Sequence, residues 1–127
     1  VKVLSVRQPW AWLIVAGHKP VENRGWKTRY RGPILIHAPK QIDSDAIGRL
    51  GDMLPTILVT GGIIGMVDLV DIVRDHPNPY FSGPYGWVFE NARHLPYMPL
   101  RGKLTLFDAP ADILEQINAT ANAATDN

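Results

Sequence analysis

Gly17-His18-Lys19-Pro20-Val21-Glu22-Asn23-Arg24-Gly25-Trp26 places a helix-ending glycine, a helix-breaking proline and a short alternating segment between two apolar runs. Upstream, Trp10-Ala11-Trp12-Leu13-Ile14-Val15-Ala16 is apolar nearly all round. That is the pattern of a helix buried against a sheet, with Pro9 suited to its first turn and Gly17 to its C-terminal cap. After Pro20, Val21 to Arg24 can extend as a strand. Its period of two puts Glu22 and Arg24 on one face and Val21 and Asn23 on the other. Glu22 and Arg24 are then neighbours. A lysine, a glutamate, an arginine and a tryptophan packed between core elements suggest a ligand site.

Lys2 to Val6 alternates as a short strand ahead of the helix. Past Trp26, a basic loop from Gly25 to Gly32 carries Lys27, Arg29, Tyr30 and Arg31, and Pro33 then opens the apolar run Ile34 to Ala38, read as a central strand. A helix is expected over Asp45 to Leu54, capped by Asp43 or Ser44. Gly48 and Gly51 each weaken it by about 1 kcal/mol relative to alanine. Ile63 to Val73, rich in β-branched residues, reads as a long bent strand with Gly65 suited to a bulge. Arg74 to Gly86 is a proline-rich loop with the makings of a lid. Trp87 to Arg93 and Leu100 to Phe107 read as two further strands, and Pro110 starts a last helix over Ala111 to Ile117. These elements predict an α+β chain: a small mixed β-barrel of about six strands with two or three short helices. Residues 1–118 form its one domain, and 119–127 a flexible C-terminal tail.

A length of 127 residues fits one domain, and 46% hydrophobic against 20% charged residues argues against a wholly disordered chain. No cysteine is present, which rules out a disulfide framework, a thiolate zinc site and a cysteine nucleophile. That composition is compatible with a reducing compartment. No apolar run approaches the ~18–20 residues of a membrane span, and Val1-Lys2-Val3-Leu4 lacks the long apolar region of a signal peptide. We therefore expect a soluble, cytoplasmic chain without membrane association. The net charge of +1 conceals an asymmetry: residues 1–40 carry eight Lys/Arg against one acid, Glu22, and residues 41–127 carry five against eleven. The basic third is the candidate anion-binding surface.

Each candidate residue has two readings. Lys19 could neutralise a phosphate or act as a base or nucleophile; it could equally be a solvated lysine complementing a helix C-terminus. Glu22 could accept a proton or bind a base amino group, or simply pair with Arg24 or Lys19. Trp26, among Lys27, Arg29 and Arg31, suits base stacking beside backbone-tracking cations, or folds back over the end of the barrel. Trp12 and Trp87 belong to apolar runs and read as core, whereas Trp10, just after Arg7, could line a cleft wall. His37 sits in an apolar run, where a hydrogen-bonded core histidine is the commoner outcome. Asn91 could read a base edge or cap the backbone locally. His18, His76 and His94 show no ligand spacing, so no resident metal and no cofactor is expected, with room only for a loosely bound divalent cation.

Leu4-Ser5-Val6-Arg7-Gln8-Pro9-Trp10-Ala11, then Gly17-x-Lys19-x-x-Glu22-Asn23-Arg24, then Arg31-Gly32-Pro33-Ile34-Leu35-Ile36-His37-Ala38 resemble the ASCH domain family. Gly83 to Asn91 and Pro99-Leu100-Arg101-Gly102-Lys103 resemble the C-terminal half of its small bacterial members. The resemblance covers roughly residues 3–108. It implies a PUA-like β-barrel and a cleft, lined by the Gly-x-Lys-x-x-Glu segment, that takes RNA or a nucleotide-like ligand. Some members resemble N4-acetylcytidine amidohydrolases, and others are linked to RNA cleavage. In the amidohydrolase branch a lysine, a threonine three residues later and a distant glutamate form the catalytic set. Here Lys19 matches the lysine, but Glu22 stands where the threonine would be. Two functions follow as expectations. The first is single-stranded RNA or modified-nucleotide binding through Arg7, Trp10, Lys19, Arg24, Trp26, Lys27, Arg29, Arg31, His37 and Asn91, in RNA processing. The second is a hydrolase, as a ribonuclease or an amidohydrolase, using Lys19 and Glu22. We favour binding, because the charge asymmetry needs a polyanion more directly than it needs catalysis.

Overall fold

In the computed structural model, which describes residues 1–125, the apolar runs become the core elements. They are β1 (Lys2–Ser5), α1 (Trp10–Val15), β2 (Val21–Arg24), β3 (Gly32–Ala38), α2 (Ser44–Leu50) followed by a 3-10 turn over Gly51–Met53, β4 (Gly62–Val73), β5 (Tyr85–Pro99), β6 (Phe107–Asp108) and α3 (Ala111–Thr125). The strands form one six-stranded sheet in the order β2-β5-β4-β3-β1-β6. Only β1 and β3 run parallel; every other pair is antiparallel. The chain is thus α+β with a mixed sheet and three helices, as expected for a PUA-like fold.

Strand alternation sorts the core onto the two faces of the sheet. Leu4, Val6, Ile34, Ile36 and Trp87 meet Ala11, Ile14 and Val15 of α1 on one face. Val3, Leu35, Ile63 and Met98 meet Ile113 of α3 on the other. Each fully buried Leu or Ile contributes roughly 1.5–3 kcal/mol, so α1 is held by its apolar face and not by helix propensity. Its approach to the sheet depends on Gly65, where a Cβ would lie 2.5 Å from Val15 Cγ1 and 2.6 Å from Arg93 O. The strand pairing is also irregular around Ile63 and Gly65, matching the expected bulge.

The barrel is open. β6 pairs only with Lys2 and Val3 of β1, and β2 pairs only with β5, so a seam lies between β2 and the far end of β1. The sheet curls far enough for Arg24 of β2 to reach the Ser5 carbonyl of β1 with its side chain at 2.8 Å. A side chain thus bridges a gap too wide for a strand ladder.

Several boundaries differ from the sequence reading; the helix expected over Asp45 to Leu54, for one, spans Ser44–Leu50 and gives way to the 3-10 turn. The expected break between Trp87–Arg93 and Leu100–Phe107 is absent, since β5 continues to Pro99. Gly65 pairs with His94 and Ile63 with Met98, leaving Leu95 to Tyr97 opposite Ile64 alone. Pro96, which has no N–H to give, is accommodated in that irregularity. Residues 100–106 form a loop, and only Phe107–Asp108 is strand. The last helix runs on to Thr125, beyond Ile117. The expected flexible segment 119–127 thus overlaps α3, and residues 126–127 lie outside the described residues.

Gly65→Ala should overpack the contact between α1 and β4 and destabilise the protein by about 1–3 kcal/mol. In urea titration this appears as a lower midpoint at unchanged slope.

Candidate functional site

The end of α1 fixes Lys19. Gly17 adopts φ +84°, which a side chain would disfavour; its N–H donates to Ile14 O at 3.1 Å, and that of His18 donates to Leu13 O at 2.9 Å. Lys19 N–H also donates to Leu13 O, at 3.0 Å, so the chain doubles back and the lysine side chain points inward, 3% exposed. Its ammonium donates to Val21 O and to Glu22 Oε1, both at 2.7 Å, and lies 5.7 Å from the centroid of the Trp10 ring. Glu22, itself buried, accepts from Arg24 Nη2 at 2.9 Å on its other oxygen. The alternation read from Val21 to Arg24 therefore holds, and the pairing of Glu22 extends to Lys19 as well as Arg24. Removing one member of a buried ion pair typically costs 3–5 kcal/mol, because the other charge is left uncompensated.

Beside this triad opens a cleft of about 1570 Å³ at the seam, beyond the carboxyl ends of β1 and β3. That exceeds the ~300–1,000 Å³ of an ordinary small-molecule site. Its lining carries seven cationic side chains, Arg7, Lys19, Arg24, Lys40, Arg49, Arg101 and Lys103, against one carboxylate, Glu22, among the described residues. Trp10 and Tyr80 meet edge to face in the same wall, with ring centroids 6.2 Å apart. The Trp10 indole N–H donates to Asp43 Oδ2 at 3.0 Å, while Asp43 Oδ1 caps α2 by accepting from Ala46 N–H. The Trp10 bond first, and the Ala46 bond second, hold the Asp43 carboxyl below the usual carboxylate range.

Ser5 and His37 are register partners across β1 and β3, and both line the cleft. His37 Nε2 lies 2.6 Å from Leu100 O, which can only accept, so the proton is assigned to Nε2. In the neutral ring, Nδ1 then accepts from the Ser5 hydroxyl at 3.0 Å. A serine against an oriented histidine resembles an activated nucleophile. Gly102, however, lies directly over the pair: a Cβ there would be 2.5 Å from both Ser5 Oγ and His37 Cε1. His37 tethers the loop that carries Gly102, and Gly102 packs over the pair. Burial pushes the His37 imidazole below its ordinary 6.5, offset in part by the bond to Leu100.

Of the residues picked from the sequence, Arg7, Trp10, Lys19, Glu22, Arg24 and His37 are brought together in the cleft lining. Trp26, Lys27, Arg29, Arg31 and Asn91 are not. Trp26 folds back edge-on to the buried Trp87 at 4.8 Å between centroids, and its carbonyl accepts the Trp87 indole N–H. Lys27 and Arg29 are exposed on the same loop, and Arg31 donates to Thr28 O and Tyr30 O within it. Asn91 has φ +55° at an irregularity of β5 and donates to Asp68 Oδ2 at 3.2 Å, so its amide serves the backbone bend and not the cleft. The sequence reading missed Asn23, Lys40, Arg49, Tyr80, Arg101 and Lys103. Asn23 sits inside the motif, and its side chain binds the loop before β5: Nδ2 donates to Tyr80 O, and Oδ1 accepts from Ser82 and Gly83. Among the described residues no three His, Cys, Asp or Glu side chains cluster as a metal site requires, and no helix is long and apolar enough to cross a membrane.

The ASCH domain model matches residues 4–94. Activating signal cointegrator 1 of Homo sapiens is 40% identical over 79 residues, covering 54% of this chain and 14% of that protein. Its Mus musculus counterpart is 39% identical over the same span and shares. The chain thus spans about 14% of the length of the curated relatives it matches. The crystal structure of ASCH from Zymomonas mobilis superposes with a TM-score of 0.61 at 15% identity, covering 93% of each chain. A single-substitution variant of it gives 0.64 at 14% identity, covering 94% of each. At that identity the likeness is one of fold.

Glu22→Ala should destabilise by about 3–5 kcal/mol in chemical denaturation, since it strands the buried Lys19 ammonium. Lys19→Met should cost less, because Glu22 keeps Arg24. Equal losses would contradict this hierarchy. For His37, the unfolded chain takes up a proton near pH 6.5 and the folded chain only at lower pH. The stability this contributes is complete above 6.5 and is lost as pH falls towards the folded value. Between about pH 7.5 and 5.5 the wild type should therefore lose more stability than His37→Gln.

Proposed function

The chain belongs to the ASCH domain family, and on that premise we propose that it binds single-stranded RNA, or a nucleotide-like fragment of it, in the cleft at the sheet seam. The observation that carries this reading is the lining charge: seven cations converge on one cavity whose single carboxylate is already neutralised by two of them. A chain of net charge +1 gains no such concentration from composition alone. Phosphates would meet Arg7, Lys40, Arg49, Arg101 and Lys103 at the rim, and a base would stack at the corner made by Trp10 and Tyr80. Base–aromatic stacking contributes about 1–3 kcal/mol per base and tolerates any sequence. The cations on the Gly25–Gly32 loop would extend the track beyond the cleft. We place this role in the cytoplasm and in RNA processing.

Hydrolysis by Lys19 and Glu22, on a phosphodiester or an acylated base, is the weaker reading. Both Glu22 oxygens are held by cations, and two of the three Lys19 donors are committed to Val21 O and Glu22. The pair is better arranged to hold the cleft wall than to exchange protons.

Affinity for a short single-stranded RNA should fall with salt at a log–log slope near −0.7 per phosphate contacted, and Arg7→Ala with Lys40→Ala should make that slope shallower by about 1.4. Salt-independent binding, or none, would sink the proposal. Mass spectrometry of the same RNA and of acetylated nucleosides after incubation should return them intact. Turnover abolished by Lys19→Ala or Glu22→Ala would instead favour the hydrolase.

A further inference from the structure

Two loops wall the cleft, and in each one polar side chain of the sheet holds the backbone; the second is also held at its start by Leu100 N–H, which donates to Gly61 O at 3.1 Å. On one side Asn23 of β2 commits both ends of its amide to the loop before β5: it donates to Tyr80 O at 2.9 Å and accepts from the amides of Ser82 at 2.8 Å and Gly83 at 3.2 Å. This tether sets Tyr80 against Trp10. On the other side His37 of β3 holds Leu100 O at 2.6 Å, and Gly102 packs on the His37 ring and the Ser5 hydroxyl so closely that a Cβ would lie 2.5 Å from each. This tether sets Arg101 and Lys103 at the rim. The division of content is clean among the described residues. The cleft residues of the first loop, Pro79, Tyr80 and Ser82, include no cation, and those of the second, residues 99–104, include no aromatic ring.

We propose that Asn23 and His37 are positioning residues that separately set the two parts of RNA binding, Asn23 the stacking of bases and His37 the contact with phosphates. The inference rests on the RNA-binding reading of the cleft. Neither residue needs to touch the ligand. Asn23 acts through Tyr80, and His37 acts through the backbone of the loop that bears Arg101 and Lys103. Because the tethers lie on different strands and different loops, loss of one leaves the other in place.

The probes are a short mixed-sequence single-stranded RNA and an abasic oligomer with the same number of phosphates, titrated over a range of salt. Asn23→Ala should reduce the preference for the base-bearing strand by roughly 5- to 150-fold, the equivalent of one lost stacking contact, with an unchanged salt slope. His37→Leu should leave that preference intact and make the salt slope shallower by up to about 1.4, at about 0.7 for each of the two cations displaced. His37→Gln, whose terminal amide can donate near the place of Nε2, should keep the wild-type slope. Should His37→Leu fail to fold, Gly102→Ala displaces the same loop from its own side and should give the same shallower slope. A change of slope in Asn23→Ala, or of base preference in His37→Leu or Gly102→Ala, would overturn the separation. Amide hydrogen exchange on the free protein reads the tethers without RNA: Asn23→Ala should speed exchange at Ser82 and Gly83, and Gly102→Ala over 100–104. Loosening of both loops in either variant overturns the inference. Failure of the wild type to bind either oligomer, with the tethers behaving as expected in exchange, overturns the functional reading on which it rests.

Discussion

The Glu22 carboxylate lies between the Lys19 ammonium at 2.7 Å and the Arg24 guanidinium at 2.9 Å, and each cation is also fixed to a backbone carbonyl, Val21 O on β2 and Ser5 O on β1. Without that carboxylate, two positive groups would face each other at a partly desolvated seam. Arg24 would then lose the acceptor that steadies its reach from β2 to Ser5 O on β1, where no strand ladder joins the two strands. With it, the cluster carries one net positive charge and holds the sheet curled. Desolvation makes such clusters poor sources of net stability, but the same low dielectric makes their geometry strict.

The open seam follows from strand length. β2 has four residues and β6 two, and they end on different neighbours, so the sheet has no pair of long edges to join. The side-chain bridge leaves space that a ladder would have filled, and the cleft occupies it. The tryptophans follow the same economy of space. Trp87 is fully buried under Trp26, whereas Trp10 stays half-buried at the cleft with its indole N–H on Asp43.

Much of this was legible from local pattern. The apolar helix, its glycine cap, the strand alternation of Val21 to Arg24 and the bulge near Gly65 depend on neighbours in sequence, and each stands where its residues place it. Six strands were also expected, though the last two were divided differently. The proline at position 96 reads as a break unless one knows that β4 opposes it with a single residue. Sites were harder to read, for a related reason. Asn23 stands inside the motif, yet its work is done on Ser82 and Gly83, some sixty residues away in the chain. Arg101 and Lys103 were visible as part of a family-like segment, but nothing local says that His37 draws their loop across β1 and β3. Conversely, Trp26 and its basic neighbours looked like a stacking track because composition cannot show that the ring turns inward onto Trp87.

Charge sorting by the fold also separates two roles that the motif seemed to combine. Half of the cations in residues 1–40 line the cleft, where they join three from the otherwise acidic remainder. Arg7, Lys40, Arg49, Arg101 and Lys103 are exposed, and at physiological salt the field of such groups is screened beyond about 8 Å. Lys19 and Glu22 are buried and mutually neutralised, so salt reaches them weakly. In the proposed function, the salt-sensitive attraction of a polyanion therefore comes from the rim, and the motif contributes the shape that the rim surrounds. A dense charged motif can in this way be structural at its centre while the exposed cations of the same cleft lie outside the Gly17–Trp26 stretch.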